Sequence, residues 1–187
     1  METGVELGTG CLGRRRGLAC LAFGVEERSQ WSQVVGEFEM SGFFQGPELH
    51  ELAQKRGEGL ARLYVVSGGD SVLALPCLLR RLPFAAGRWG WDATSVRGYA
   101  GPLFRSAEPG FLKCAFGVLE DWLREEGVLT VFSLLNPILG QADWLAGVGR
   151  VRVLGKTVAM DLDQAEELVW GGIRPTHRRG IRRMERS

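Results

Sequence analysis

The sequence predicts a mixed α/β domain, because short apolar runs and longer helical patterns alternate along the chain. Ser67-Gly68-Gly69-Asp70 separates two apolar runs, which is the pattern of a β-hairpin. Apolar residues recur at helical spacing from Phe111 to Leu123, which indicates a helix that covers one face of a sheet. The apolar run at 128–134 is typical of a strand with both faces covered.

The composition is that of a globular protein. The chain has 187 residues, of which 45% are apolar and 24% charged, so it can hold one ordinary domain and a little more. A net charge of +1 excludes an electrostatic binder of DNA along the whole chain. The basic excess is local, because six arginines and one glutamate lie between Arg174 and Ser187.

The cysteines and histidines show no spacing typical of a metal site. We therefore predict no metal, and free thiols in a reducing, cytoplasmic environment. No apolar run approaches the roughly 18 to 20 residues of a membrane span. The residues concerned are Cys11, Cys20, Cys77, Cys114, His50 and His177.

The elements of the N-terminal half follow from local signals. Pro47 and Glu48 suit the first turn of a helix, and glycine pairs suit turns. The predicted order is a disordered lead at 1–16, a strand at 18–25, a helix from Ser29 to about Met40, a helix from Pro47 to Gly57, hairpin strands at 60–66 and 71–79, and a basic extension at 80–88.

The C-terminal half is interpreted in the same way. The α/β domain is predicted to span 17–162, and a basic linker helix to span 163–187. The predicted elements are a strand at 99–104, a helix from Glu108-Pro109 to Gly127, strands at 128–134, 148–153 and 156–162, a short helix at 138–146, and a helix from Gln164 with Pro175 inside it.

The stretch WDATSVRGYAGPLF, residues 91–104, is predicted to be a polar site at the mouth of the sheet. Asp92 is the candidate catalytic residue, since a carboxylate can orient or deprotonate an attacking amine. The alternative is an Asx turn or a helix-type cap that stabilises the loop from Trp91 to Ser95.

Four other residues of this stretch are candidates for substrate binding. Arg97 can pair with a phosphate, and Tyr99 can donate to a sugar, a phosphate or a carbonyl. Gly101 can let a ligand approach the backbone. Ser95 is the fourth candidate for substrate binding. The alternatives are a solvated arginine, a half-buried aromatic and a glycine needed only for conformation.

The basic tail is a second candidate site. Arg178 and Arg182 lie four residues apart on one helical face, and Arg179 and Arg183 lie on the next. Such a helix can bind the phosphates of a tRNA or the pyrophosphate of a precursor. The alternative is a solvated basic helix. The tryptophans on apolar helix stripes, Trp122, Trp144 and Trp170, are interpreted as packing residues.

Three segments resemble the Fem family of peptidoglycan bridge aminoacyltransferases and their FemAB-like relatives. They are WDATSVRGYAGPLF, VFSLLNPIL and the tail VAMDLDQAEELVWGGIRPTHRRGIRRMERS. The resemblance implies a GNAT-like fold, with 17–162 as a first domain and 163–187 as the start of a truncated second one. It also implies transfer of an aminoacyl or acyl group onto an amine of a cell-wall precursor or a related small acceptor.

Two features depart from the GNAT pattern. The junction LFRSAEPGFLK has no Gly-x-Gly/Ala step, and Pro109 removes a backbone donor that would bind a pyrophosphate. We therefore expect no bound cofactor in this domain, and a donor, aminoacyl-tRNA or acyl-CoA, that enters through the second domain. Leu134 also stands where the relatives would have a basic residue.

A binding module without catalysis is the alternative function. In that case the residue 91–104 stretch recognises a nucleotide-sugar or a peptide, and the basic tail binds an anion or RNA. Whether the chain is active by itself stays open at this stage.

Overall fold

The computed structural model describes residues 13–39, 41–83, 89–106 and 110–186. The chain divides into two compact units, Met1–Val151 and Arg152–Ser187. The predicted domain boundary at 162/163 stays a prediction. None of the helices in the described ranges has the length and apolar character needed to cross a bilayer.

Seven strands of the first unit's described part form one sheet in the order β1-β2-β3-β4-β5-β7, with β6 paired to β4. Neighbouring strands are antiparallel except for β5 and β7, which are parallel. The strands are β1 Gly13–Arg15, β2 Leu18–Phe23, β3 Leu60–Gly68, β4 Ser71–Pro83, β5 Trp89–Thr94, β6 Leu103–Arg105 and β7 Val128–Phe132.

The predicted hairpin is confirmed and is the centre of the sheet. β3 and β4 pair from Leu60↔Leu79 to Gly68↔Ser71. Gly69 has φ +57, in the left-handed region that a tight turn requires and that glycine adopts without steric cost. The hairpin therefore forms where its turn chemistry predicts it.

One edge of the long strand β4 is shared by two other strands. β6 pairs with Val72–Ala74 and β5 pairs with Leu78–Pro83. Pro76 lies between these two segments, and proline has no backbone N–H to donate there. The chain from 95 to 102 connects β5 to β6 at this interruption of the ladder.

Four helices accompany the sheet in the first unit: α1 Arg28–Gly36, α2 Pro47–Lys55, α3 Phe111–Glu125 and α4 Gln141–Leu145. α3 packs on one face of the sheet, where Trp122 joins a core with Tyr64 and Leu73. On the opposite face, Trp31 of α1 packs with Leu63. Burial of each such side chain contributes roughly 1.5–3 kcal/mol, so both faces stabilise the sheet.

The predicted disordered lead is wrong for its last residues. Gly13–Arg15 forms β1, which pairs antiparallel with β2. The Arg15 guanidinium lies 2.7 Å from a carboxylate oxygen of Glu125 and 5.6 Å from the ring centroid of Trp122. These contacts hold a strand that has no apolar alternation to predict it. Residues 1–12 lie outside the described residues.

The prediction that β7 is covered on both faces is also wrong. Val128 is buried, but Leu129, Val131 and Phe132 are 56%, 50% and 55% exposed. Among the described residues β7 pairs only with β5, so it is an edge strand. An apolar run predicts a strand, but it does not determine how many elements pack on it.

Two strands predicted near the end of the domain do not form. Among the described residues the structure has no strand at 148–153 or 156–162, and Val158 is 93% exposed. Alternating apolar residues become a strand only where a partner supplies backbone hydrogen bonds. The predicted strand at 99–104 is likewise reduced to β6.

The second unit contains two helices, α5 Glu166–Gly172 and α6 Pro175–Met184. The sequence predicted one helix with Pro175 inside it. The helix instead ends at Gly172, and Pro175 begins the next one, since proline is tolerated in a first turn but not in a helix interior. The α/β architecture as a whole is compatible with a GNAT-like fold.

Candidate functional site

The carboxyl ends of β5 and β7, the parallel pair, meet at one end of the sheet. The Ser95 N–H donates to the Phe132 carbonyl at 3.0 Å, and the Leu134 N–H donates to Ser95 Oγ at 3.0 Å. Ligands of open α/β sheets bind beyond the carboxyl ends of parallel strands. A ligand site is therefore expected in the segments that follow these two strands.

Asp92 lies within the strand β5, whereas the sequence predicted a loop from Trp91 to Ser95. It is buried, with 8% of its surface exposed, and its carboxylate accepts from the Arg80 guanidinium and, at 3.0 Å, from Thr130 Oγ1. This arrangement links β4, β5 and β7 through one carboxylate. Its role as a catalytic base stays a prediction.

Tyr99 lies on the loop after β5, against the segment that precedes α2. Gln45 Nε2 donates to the Tyr99 carbonyl at 2.9 Å, and Trp31 Nε1 donates to the Gln45 carbonyl at 2.9 Å. The half-exposed Tyr99 ring meets Phe44 edge-on, with centroids 5.8 Å apart. Because Gln45 and Trp31 are buried, this network fixes the loop that presents Tyr99.

Gly101 is buried against Gln141, so a protein side chain occupies the space that the prediction gave to a ligand. A Cβ at Gly101 would lie 2.6 Å from Gln141 Oε1. Gln141 Oε1 accepts from the Asn136 N–H at 2.6 Å, and Gln141 Nε2 donates to the Pro102 carbonyl at 2.7 Å. Gln141 thus links the segment after β7 to the segment after β5.

A cavity of about 360 Å³ opens beside this link. Its walls come from three segments: the end of α1 and the residues after it, β6 with the residue before it, and the α4 region. The lining residues are Glu37, Phe38, Glu39, Pro102, Leu103, Phe104, Arg105, Leu139, Gln141 and Trp144. Two of these three segments follow the carboxyl ends of β5 and β7, as expected for a ligand site.

The cavity combines charged groups with aromatic rings. Arg105 lies 3.3 Å from a carboxylate oxygen of Glu37, and both side chains are about half exposed. Among the described residues no ion pair is found for Glu39. The Trp144 and Phe104 rings lie with centroids 5.2 Å apart at 37°. The cavity therefore offers one carboxylate in excess next to an aromatic wall.

The structure brings only part of the predicted site to this cavity. Pro102, Leu103 and Phe104 of the predicted stretch line it, whereas Asp92, Ser95, Arg97 and Tyr99 are not among its lining residues. Arg97 is exposed. Arg178, Arg179 and Arg182 belong to α6 of the second unit, where the Arg182 guanidinium lies 5.5 Å from the ring centroid of Trp170.

Sequence reasoning missed Glu37, Glu39 and Trp144 as site residues. Each is separated from residues 91–104 by tens of positions and carries no motif of its own. Trp144 was predicted to be a packing residue, and it does contact Phe116 and Phe104. A signal that could have found it is its place on the short helix that follows the second parallel strand and the Asn136-Pro137 turn.

Buried thiol and phenol groups offer no nucleophile. Burial raises the pKa of the Cys77 thiol and of the Tyr64 phenol above their usual values, so both stay protonated near neutral pH. The described residues contain no group of three His, Cys, Asp or Glu side chains placed to hold a metal ion.

The sequence matches no family model and no curated protein, and the structure matches no solved structure. The geometry of the site and the resemblance of the three segments are therefore the observations that bear on its function.

Proposed function

We propose that this chain is the N-terminal, GNAT-like part of a FemAB-like transferase. The proposed reaction moves an aminoacyl or acyl group onto an amine of a cell-wall precursor or a related small acceptor. The observation that carries the proposal is the cavity beyond the parallel strand pair, lined by Pro102, Leu103 and Phe104 of the motif-bearing stretch. Its excess carboxylate favours an acceptor that carries positive charge.

In this reaction a neutral amine nitrogen forms a bond to the carbonyl carbon of the donor. The ester or thioester bond breaks and releases the tRNA hydroxyl or the CoA thiol. The amine loses one proton, through a base or water, and the leaving group takes up one. Aminolysis of an activated acyl group depends mainly on placing the amine against the carbonyl. Asp92 acts as the base only if it releases Arg80. Positioning of the acceptor by the cavity residues Pro102, Leu103 and Phe104 is therefore the main contribution that we assign to this chain.

Transfer is tested with the purified chain, alone and with a complete second GNAT-like domain supplied, a lysine-containing precursor peptide, and aminoacyl-tRNA or acyl-CoA as donor. We expect the mass of the peptide to rise by one acyl group, and a peptide with an acetylated lysine to stay unchanged. The absence of transfer with every donor, together with the absence of acceptor binding, would refute the proposal.

The alternative is a binding module without catalysis. It is favoured by one observation: both carboxylate oxygens of Asp92 are engaged, one by Arg80 and the other by Thr130. A titration followed by calorimetry separates the two functions. Acceptor binding without turnover, with donors and the supplied second domain both present, supports the binding module, and turnover excludes it.

A further inference from the structure

We infer that the cavity beside α4 binds an organic cation, and specifically the guanidinium of an arginine side chain in a peptide ligand. Its carboxylates, Glu37 and Glu39, lie on the segment at the end of α1, opposite the arginine of β6, Arg105. Because Arg105 pairs with Glu37, one negative charge remains, at Glu39. A ligand group with one positive charge balances the cavity.

The apolar walls select the kind of cation. The Phe104 and Trp144 ring centroids lie 5.2 Å apart, and the half-buried Trp144 lines the same cavity as the two carboxylates. A planar guanidinium stacks on an aromatic face and donates N–H groups to a carboxylate in the same plane. Leu103 and Leu139 add apolar surface to the cavity wall, against which an aliphatic stem can pack. A small inorganic cation would gain nothing from these walls.

The reacting amine of an acceptor is a poorer fit for this cavity. A carboxylate and an aromatic face both stabilise the protonated form of an amine, and a protonated amine has no lone pair for attack. An arginine stays protonated at every working pH, so it serves recognition without loss of reactivity. The cavity therefore recognises a cation next to the reacting group. This inference rests on the proposed function only in treating the bound molecule as an acceptor.

The test uses the full chain and the probe Nα-acetyl-arginine methylamide, with its neutral citrulline analogue as the matched ligand. Binding is followed by NMR through the indole N–H signals and by calorimetry. We expect saturable binding of the arginine probe with a shift of the Trp144 indole signal, assigned with the Trp144→Phe variant. The citrulline probe is expected to bind at least tenfold more weakly.

Variants locate the charge. Glu39→Gln is expected to weaken binding of the arginine probe about tenfold, while Glu58→Gln, an exposed carboxylate on the turn after α2, leaves the affinity unchanged. Circular dichroism spectra of Glu39→Gln and Glu58→Gln check that both variants are folded. Equal affinity for the two probes, no saturation, or an unchanged affinity in Glu39→Gln would overturn the inference. None of these readouts depends on acyl transfer, so failure of the reaction leaves this test intact.

Discussion

Asp92 has two possible roles, as a catalytic base or as a structural link between strands. Its carboxylate is nearly buried and holds Arg80 and Thr130 on neighbouring strands. A residue in such a position is first of all a stabilising link across the sheet. Asp92→Asn removes the charge that pairs with Arg80 and replaces one acceptor oxygen with an N–H₂ donor, while the exposed Arg80 and Thr130 side chains can bind water instead.

We predict that Asp92→Asn lowers the free energy of unfolding by about 1 kcal/mol, because the half-exposed Arg80 screens part of the interaction. Urea denaturation measures the change. Asp70→Asn is the matched control, because Asp70 is exposed at the hairpin turn and its replacement is expected to cost less than about 0.5 kcal/mol. Equal stabilities of the two variants would show that the ion pair contributes nothing.

His50 is a buried titratable group with one satisfied nitrogen. Its Nδ1 lies 2.8 Å from the Gly46 carbonyl, and Nε2 has no hydrogen-bond partner in the described part of the chain. Burial lowers the pKa of His50 from 6.5 to about 4. The unfolded chain therefore binds more protons than the folded one between pH 4 and 6.5, so this group adds stability that is complete above about pH 6.5 and is lost as the pH falls toward 4.

We predict that lowering the pH from 7 to 4.5 costs the protein about 2–3 kcal/mol through His50 alone. His50→Asn keeps a donor for the Gly46 carbonyl and does not titrate. The difference between the two proteins in urea unfolding at both pH values isolates the histidine from the carboxylates. Parallel losses of stability in the two proteins would contradict the prediction.

At the scale of elements, Gln141 joins the segments that follow β5 and β7. Its side chain fills the space beside Gly101 and bonds the backbone of Asn136 and Pro102. We predict that Gly101→Ala and Gln141→Ala each destabilise the protein by about 1–3 kcal/mol, the first by a steric clash and the second by leaving two backbone groups unpaired.

The double variant tests whether these two effects share one contact. Once Gln141 is truncated, a methyl group at position 101 meets no side-chain oxygen, so the cost of Gly101→Ala is expected to fall by at least about 1 kcal/mol. Additive costs in the urea-unfolding cycle would mean that the strain at position 101 lies elsewhere.

β7 is an edge strand that can pair with a strand of another copy of the chain. Its strand has no charge, and Leu129 and Val131 are exposed beside backbone groups that have no neighbour strand in the described residues. Natural edge strands are usually protected by lysine, proline or a bulge. The opposite edge of the sheet, β1, carries arginines.

We predict that Val131→Lys reduces concentration-dependent self-association and changes the free energy of unfolding by less than about 1 kcal/mol. Sedimentation velocity over a range of concentrations measures the association. Leu52→Lys, at another exposed apolar position, is the control and is expected to leave association unchanged. An equal effect of both substitutions would assign the change to net charge instead of the strand edge.

Local signals predicted the elements that local chemistry determines. The glycine turn of the hairpin, the apolar stripe of α3 and Pro47 at the start of α2 all act within a few residues, so their predictions were confirmed. Properties set by distant neighbours were missed: β1 depends on contacts of Arg15 with α3, and the exposure of β7 depends on what packs beside it.

The site was only partly predictable for the same reason. The polar character of residues 91–104 indicated the end of the sheet at which the parallel strands β5 and β7 end, and three of these residues line the cavity. The carboxylates of the α1 segment and Trp144 meet them only through the tertiary fold. Asp92 was placed in a loop because polar residues in an apolar run resemble a turn, whereas its partner Arg80 makes it compatible with a strand.

At the scale of the whole molecule, a net charge of +1 conceals an uneven distribution. In the first unit the exposed arginines are largely paired, as Arg28 is with Glu48 and Glu51 and Arg124 is with Glu120. In α6, by contrast, no ion pair to an arginine is found within the described residues. Arginines four residues apart repel one another, and a polyanion would relieve that repulsion.

We predict that binding of the chain to single-stranded RNA weakens as the salt concentration rises. In the double variant Arg179→Gln with Arg183→Gln, the slope of log K against log salt is expected to become less negative by about 1.4, since each lost phosphate contact accounts for about 0.7. Both arginines are exposed and lie on the same face of α6. The control pair, Arg28→Gln with Arg124→Gln, removes the same charge from arginines that already hold carboxylates. Filter binding at a series of salt concentrations gives the slopes. If the two pairs changed the slope equally, RNA would respond to the net charge of the protein and not to the arginine face of α6.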